Sequence, residues 1–512
     1  MRTPEEFGNK IRKVIKENRI ALLSSFTWGL LAHAYMMLNK FPNHDDITSM
    51  RGYGTGYPSG RWFLAFMGDT IKKWFGNYSL PWLNGITTIL LLAMAVCVFV
   101  RMFDIYNEIE IILVSGIMIT FPAVTCMFIF MFTSYYYAVA VLLVLISCYL
   151  TFYYKKGFFI GVLGLACATG VYQAYFMIAP GLFVLYLLKR CLRSETDSKQ
   201  EIGYALKLLA VLFGTLIVYM CINKICLKIT DIQMTDYQAL DEMGKVTVAS
   251  TIRGIKIAYK TFLKMFLADY LGFTNILFIR VLMILAMVLD FILGTIWLLQ
   301  ESKFIKKLYF LVLLLLFPLS LNGIYVLCPN SPYIYGLMFY SLALFWLLPI
   351  ILWNGIKGEE HNMVKCLINW CMILCIGISS IGYVRYANEV YLSMDITLHQ
   401  AESYYTTLIT RIKSAPGYTD EMKVAYIGEL EDQTLYRSGS LFSELTITDG
   451  SRDIIGNYSW KKFMAKYLGF RPKEDKECDK YKELDSVKNM PCYPDDGSIQ
   501  IIDNVVIVKF SS

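Results

Sequence analysis

A chain of 512 residues that is 56% hydrophobic and only 17% charged carries more apolar surface than a water-soluble domain of its size can hide, which excludes a soluble globular enzyme. The formal charge of +7 is spread over short clusters between apolar runs, with no separate basic domain. It therefore points to anionic lipid and cytoplasmic retention and not to nucleic acid.

Apolar runs recur from residue 20 to residue 384, each long enough to cross a hydrocarbon layer of ~30 Å, which takes about 20 helical residues. Backbone groups in lipid must be paired within the segment, so these runs are helices. The expected spans are 20–39, 81–100, 109–132, 134–154, 158–171, 173–188, 204–223, 277–299, 308–328, 333–353 and 364–384, about 11 in all. Leu31-Ala32-His33-Ala34 has the small-x-small pattern of a cleavage site, yet the apolar run before it is longer than a secretory h-region, so retention as an anchor is expected.

Lys10, Arg12, Lys13, Lys16 and Arg19 hold the N-terminus in the cytoplasm. The run from Gly157 to Leu188 is about 48 Å as one helix at ~1.5 Å per residue, too long for one crossing and short for two. A hairpin keeps every later basic cluster inside, namely Lys155-Lys156, Lys189-Arg190 with Arg193, Lys303 with Lys306-Lys307, and Lys357 with Lys365. With that choice residues 40–80, 224–276 and everything after about 385 face outward. The domains are then 1–385, a membrane domain with those two outer loops, and 386–512, an extracytoplasmic C-terminal domain.

The first outer loop carries its own helix, with Trp62, Phe63, Phe66, Met67, Ile71, Trp74 and Phe75 as an apolar stripe opposite Asp69, Lys72 and Lys73. Such a helix lies flat on a membrane. A second one in 224–276 sets Ile252, Ile255, Tyr259, Phe262 and Phe266 against Arg253, Lys256, Lys260 and Lys264. Its cations are expected at the headgroup layer, where a lipid phosphate sits. Past 385 a helix over 388–414 ends at Pro416-Gly417, a strand follows over 423–428, and Ile499 to Phe510 reads as a hairpin about Asp503-Asn504. The fold class is thus an all-α polytopic membrane protein with a small C-terminal α/β domain. Cys478 and Cys492, both in the outer tail, either pair or stay free.

The chemistry is expected at His44-Asp45-Asp46, just past the first span, and at the run Arg51-Gly-Tyr-Gly-Thr-Gly-Tyr-Pro-Ser-Gly-Arg61-Trp62 that follows. Sugar transfer from a phosphate needs a base for the acceptor hydroxyl, which Asp45 or Asp46 can be. Adjacent carboxylates repel, so either one is raised in pKa, or one binds a divalent cation (Mg or Mn) while the other takes the proton. Arg51 and Arg61 can hold a leaving phosphate through paired hydrogen bonds, and a phosphate leaves without a dedicated acid. An ordinary polar loop, with Asp-Asp in the first turn of a helix and the arginines at headgroups, explains the same residues.

These stretches resemble the bacterial Gtr-type, serotype-converting membrane glucosyltransferases of the GT-C superfamily. The resemblance rests on Asp45-Asp46 after the first span, Gly60-Arg61-Trp62 leading into a surface helix, and Tyr172-Gln173-Ala174-Tyr175 at the hairpin, and it covers about 20–385 in layout. It implies a GT-C-like membrane domain of the cytoplasmic membrane. The activity implied is inverting transfer of glucose or another hexose from a polyprenyl-phosphate carrier to a cell-surface polysaccharide on the outer face. Asp45 or Asp46 is then the base, and Arg51, Arg61, Arg253, Lys256 and Lys260 meet the donor phosphate. Tyr172, Gln173 and Tyr136 are the candidate sugar or acceptor contacts. The implied partners are the lipid-linked sugar, the polysaccharide and the bilayer, with a flippase and a carrier-charging glycosyltransferase as further candidates. Many relatives carry a second acid in a later outer loop. The turn at Thr133 to Tyr137 has none, which leaves a metal site in doubt.

Without the family, Tyr172 and Gln173 read equally as helix-turn packing, and Tyr135 to Tyr137 as an interfacial aromatic belt. Asp290, deep in the eighth span, is expected to be a hydrogen-bonded structural acid, and His33 to be packed. His361 and His399 are too scattered to hold a metal together. The rival reading is a transporter or lipid-linked sugar flippase, in which Asp290 couples an ion.

Overall fold

The computed structural model describes residues 3–50, 52–76, 78–193, 198–235, 247–268, 276–328, 334–356, 363–429 and 459–511. They fall into two compact units. One takes the chain up to Lys40 and again from beyond Met50 to Glu389; the other takes Phe41–Met50 and the described residues from Val390 on.

Among the described residues nine helices are long and apolar enough to cross a membrane: Arg19–Leu38, Pro81–Phe103, Ser134–Tyr153, Gln173–Leu192, Gln200–Thr230, Leu277–Gln300, Phe304–Leu321, Gly336–Trp353 and Met363–Lys413, the last continuing past the end of the first unit at Glu389. About 11 spans were expected, and two places differ. The span expected at 109–132 is two helices, Glu108–Thr120 and Pro122–Ile129, bent by 42°, because Pro122 lacks an N–H and its ring clashes with the preceding turn. The span expected at 158–171 is the shorter helix Gly157–Val171.

Polar threads cross the bundle where apolar helices meet. The Ser24 hydroxyl donates to Ser115 Oγ at 2.7 Å, Thr88 to Ser134 at 3.0 Å, and Asn84 Nδ2 to the Met131 carbonyl at 3.1 Å. His33 is packed, stacked on Phe128 at 4.1 Å with Nε2 3.0 Å from the Ile119 carbonyl oxygen. The expected span 333–353 opens as a 3-10 segment, Gly336–Leu347, and becomes α-helical at Leu348–Trp353. The switch falls at Pro349 in the first turn, where a missing N–H costs nothing.

Two sets of contacts fix the course of the bundle. At one end Lys189 Nζ meets Asp104 Oδ2 at 2.6 Å, the Met102 carbonyl at 2.8 Å and the Tyr153 hydroxyl at 3.2 Å, so helices Pro81–Phe103, Ser134–Tyr153 and Ile178–Arg193 all end there. At the other end Gln173 meets Ser59, and Tyr172 meets Tyr137. Helix Gly157–Val171 leaves the Tyr153 end and reaches Tyr172, and Ile178–Arg193 returns to Lys189. The chain from 157 to 193 therefore runs down the bundle and back, with the 3-10 turn Gln173–Met177 between its arms.

Met363–Lys413 is one continuous helix of 51 residues, where a span at 364–384 and a separate helix at 388–414 were expected. No Gly or Pro interrupts residues 383–413, and Arg385 pairs with Glu389 one turn on at 2.7 Å, which favours continuation.

The second unit holds a four-stranded sheet. Its strands are β1 (Lys423–Ile427), β2 (Lys473–Glu474), β3 (Ile499–Ile502) and β4 (Val505–Lys509), in the order β2-β1-β4-β3. β1 pairs parallel with β2 and β4, and β3 pairs antiparallel with β4. The hairpin between β3 and β4 turns on Asp503 and Asn504, both at positive φ of 48° and 61°, the pair of conformations a two-residue type I′ turn requires. Ala425, Ile427, Val505 and Ile507 form its core with Tyr481, Val487 and Met490. Cys478 and Cys492 are both free thiols.

Candidate functional site

Helix Arg19–Leu38 ends at Asn39, and the next helix, His44–Ser49, belongs to the second unit. Asn43 caps it, its Oδ1 accepting from the backbone N–H of Asp45 at 2.8 Å and of Asp46 at 2.9 Å. Both acids thus stand in a helical first turn, where negative charge is favoured. They are not equivalent. The Asp45 side chain is 41% exposed, with His44 Nε2 3.9 Å away, whereas Asp46 is 6% exposed. Helix Trp460–Tyr467 packs against this turn, with Lys466 Nζ donating to the Ile47 carbonyl at 2.6 Å. Burial, and then the Asp46 charge, push the Tyr467 phenol above its ordinary value. Among the described residues no group of three or more His, Cys, Asp or Glu side chains converges as a metal site, and none joins Asp45 and Asp46 as a third ligand of that kind.

The second candidate region lies in the first unit, around the turn that follows. Tyr57–Ser59 form a 3-10 turn closed by Gly60, whose φ of 69° lies in the left-handed region. Two side chains distant in the chain hold it. Gln173 Nε2 donates to the Ser59 carbonyl at 2.6 Å and to the Tyr219 hydroxyl at 3.1 Å, and the Tyr219 hydroxyl donates to the Gly60 carbonyl at 3.0 Å. A Cβ on Gly60 would stand 2.6 Å from the Tyr219 oxygen, 2.9 Å from Gln173 Nε2 and 3.7 Å from Asn223 Nδ2. The turn can therefore be closed only by glycine.

Arg61 follows, half-buried, with its guanidinium carbon 4.7 Å from the centre of the Tyr172 ring. Tyr172 is itself packed against Tyr137 and Tyr175, at 5.2 and 5.4 Å between centroids. Arg61 makes no ion pair among the described residues, and its buried Nε has no hydrogen-bond partner there. The ring supports the cation, but among the described residues no carboxylate compensates its charge. Trp62 anchors the start of helix Trp62–Phe75 against Ala166 and Tyr219. Further along that helix Asp69 accepts a 3.0 Å hydrogen bond from the Tyr53 hydroxyl; burial, then Asp69, raise that phenol's pKa. The apolar stripe expected on this helix is divided: Trp62 is buried, while Phe66, Trp74 and Phe75 are exposed.

The structure brings together Gly60, Arg61, Trp62, Tyr172 and Gln173, sequence-selected residues more than a hundred positions apart. Two of the expected sugar or acceptor contacts, Gln173 and Tyr136, are not open surface residues: Gln173 is half-buried and Tyr136 is buried. The Gln173 amide is engaged with Ser59 and Tyr219 and so holds the turn. Tyr136 is 2% exposed, with its ring 4.1 Å from that of Tyr135, and belongs to the packing and not to a belt. Arg51 and His361 lie outside the described residues. Arg253, Lys256 and Lys260 are exposed on helix Val248–Leu267. That helix buries Gly254, Ala258, Thr261, Phe262, Met265 and Phe266, while Ile252, expected on its apolar side, is 50% exposed. The buried face is turned because the backbone of Tyr325 packs directly on Gly254. Asp290 is buried, and its Oδ1 has no partner among the described residues, so the hydrogen-bonded role expected of it is not seen at that oxygen. Tyr219 and Asn223, at i and i+4 on helix Ser198–Thr230, escaped the sequence reading. Their one signal was two polar side chains on a single face at the end of an apolar run.

A family model described as glucosyl transferase GtrII matches residues 34–352. The chain belongs to that family. The matched stretch of this GtrII-family glucosyltransferase takes in the Asp45-Asp46 pair, the Gly60-Arg61-Trp62 turn, Gln173, Tyr219 and Asn223. No curated protein and no solved structure matches the chain.

Proposed function

We propose that this glucosyltransferase moves glucose from a polyprenyl-phosphate carrier to a cell-surface polysaccharide at the outer face of the cytoplasmic membrane, with inversion at the anomeric carbon. The observation that carries the reading is Arg61, a half-buried guanidinium stacked on Tyr172 with no carboxylate paired to it among the described residues. A cation left uncompensated beside a membrane bundle is suited to an anion that arrives with the substrate, and a lipid phosphate is such an anion.

The acceptor hydroxyl loses its proton to Asp45 or Asp46 as its oxygen attacks the anomeric carbon. The bond from that carbon to the phosphate oxygen breaks, and the electron pair leaves with the carrier phosphate, whose charge Arg61 balances. Asp45 is favoured as the base because its carboxylate is open to an incoming hydroxyl while that of Asp46 is covered. The basic face of Val248–Leu267 holds the carrier at the headgroup layer. The second unit, with a polar cleft lined by Glu421, Lys423, Asp475, Lys480 and Asp503 among others, takes the acceptor polymer.

The test is transfer from radiolabelled polyprenyl-phosphate glucose to extracted wall polymer by purified protein in detergent. Asp45→Asn is expected to lower turnover by about 10² to 10⁴, and Arg61→Ala by about 10² to 10³. Wild-type turnover in both Asp45→Asn and Asp46→Asn removes the acids from the mechanism. Movement of the lipid across a bilayer with no sugar released would favour the flippase and Asp290.

A further inference from the structure

Three buried polar atoms at the Gly60 turn have no partner among the described residues: Arg61 Nε, Trp62 Nε1 and Asn223 Oδ1. Buried polar groups are otherwise paired, and an unpaired one costs free energy that something must offset. Two of the three are donors and one is an acceptor, so an anion alone does not satisfy the set. Asn223 is 7% exposed. Its Nδ2 is directed at Met234 Sδ, 3.6 Å away, and its amide borders the Gly60 turn, 3.7 Å from where a Cβ would stand. The oxygen is therefore the end of the amide left without a partner. Tyr219, one turn earlier on the same helix, ties that helix to the Gly60 carbonyl at 3.0 Å, which fixes where Asn223 stands relative to Arg61.

A glycosyl phosphate presents matching chemistry within one small volume. Its phosphate oxygens accept hydrogen bonds, and the hydroxyl nearest to them, on the carbon next to the anomeric centre, donates one. We propose that Asn223 is a sugar-reading residue of the donor site: its Oδ1 accepts a hydrogen bond from the 2-hydroxyl of the transferred hexose while Arg61 holds the phosphate, and Tyr219 and Gln173 are positioning residues that keep the two in register. This rests on the reading of Arg61 as the phosphate contact, and it adds a residue and a substrate atom to it.

The experiment measures binding to the full-length protein in detergent by calorimetry, with three probes: undecaprenyl phosphate, undecaprenyl-phosphate glucose and undecaprenyl-phosphate 2-deoxyglucose. The quantity read is the ratio of affinities between probes, which does not depend on the fraction of protein that is active. Wild type is expected to prefer the glucose lipid over the 2-deoxy lipid by about tenfold or more, since a site that hydrogen-bonds a hydroxyl rejects the analogue lacking it. Asn223→Ala is expected to bring that ratio to about one and to leave the bare lipid phosphate within about twofold. Asn223→Ser, which keeps an oxygen acceptor, should give an intermediate ratio. Arg61→Ala should weaken all three probes together and leave the ratio intact. A wild-type ratio in Asn223→Ala overturns the proposal and leaves the donor reading standing. Loss of all three probes in both Asn223 variants marks a packing residue and also overturns it. Wild type that binds none of the lipids removes the phosphate reading of Arg61, and this proposal with it.

Discussion

At the scale of single residues the turn at Gly60 is the most constrained point of the candidate site. Any other L-residue there is strained twice, by a φ of 69°, worth about 1–2 kcal/mol, and by a Cβ at 2.6 Å from the Tyr219 oxygen. Gly60→Ala is therefore expected to lower glucose transfer at least about tenfold while the protein still purifies as a folded species. Adding Tyr219→Phe removes the clashing oxygen but not the dihedral strain, so the double variant should recover part of the loss and not all of it. Full activity in Gly60→Ala would show that the turn has no part in the reaction. The residues that could be singled out from sequence were those of unusual local composition: an acid pair, and a Gly-Arg-Trp run between aromatics. Tyr219 and Asn223 were not legible because nothing local distinguishes them; only the folded helix brings them to a turn about 160 positions earlier, and pairing across such a distance is not written in spacing or periodicity.

At the scale of elements, the bundle depends on how closely helices Ser134–Tyr153 and Gly157–Val171 approach. Gly161 and Gly164 lie against Thr151 and Ser147, so near that a Cβ on Gly161 would stand 2.1 Å from Thr151 Oγ1. Small residues at this spacing let backbones meet in lipid, where no hydrophobic force draws helices together. Gly161→Leu should force the pair apart, at a cost of about 1–3 kcal/mol typical of overpacking, and lower the midpoint of thermal unfolding in detergent. Leu163→Ala, on the exposed side of the same helix, should leave it unchanged. Equal midpoints for both variants would show that the contact does not limit stability. The elements themselves were largely legible, because apolar length and turn chemistry are local signals: Asp503-Asn504 marked its hairpin, and the run after residue 20 its helix. Breaks inside apolar runs were not. Pro122 bends its span and Pro349 ends a 3-10 segment, but a proline within a long apolar run is also tolerated without a break, so the sequence did not say which it would be.

At the scale of the whole first unit, contacts sort helix ends into two sets. Asp104, Tyr153 and Lys189 meet at one end, and Ser59, Gln173, Tyr172 and Tyr137 at the other. The bundle axis separates the Lys189-Asp104 pair from the Arg61 turn, and the two ends must lie on opposite sides of any membrane the bundle crosses. Basic residues cluster near the first end, with Lys155-Lys156 and Lys189-Arg190 in the chain beside it. A cytoplasmic position is expected for that end, and the Arg61 turn is then expected outside, as the proposed transfer to a cell-surface polymer requires. Single cysteines placed at Pro58 and at Asp104 in a cysteine-free background test this on intact cells with a membrane-impermeant thiol reagent. The Pro58→Cys protein should label from outside, and the Asp104→Cys protein only after the membrane is opened. Labelling of both from the same side would contradict the arrangement of the helices. Labelling of Asp104→Cys alone from outside would keep the bundle and invert it, and the acceptor would then have to be a molecule of the cytoplasm.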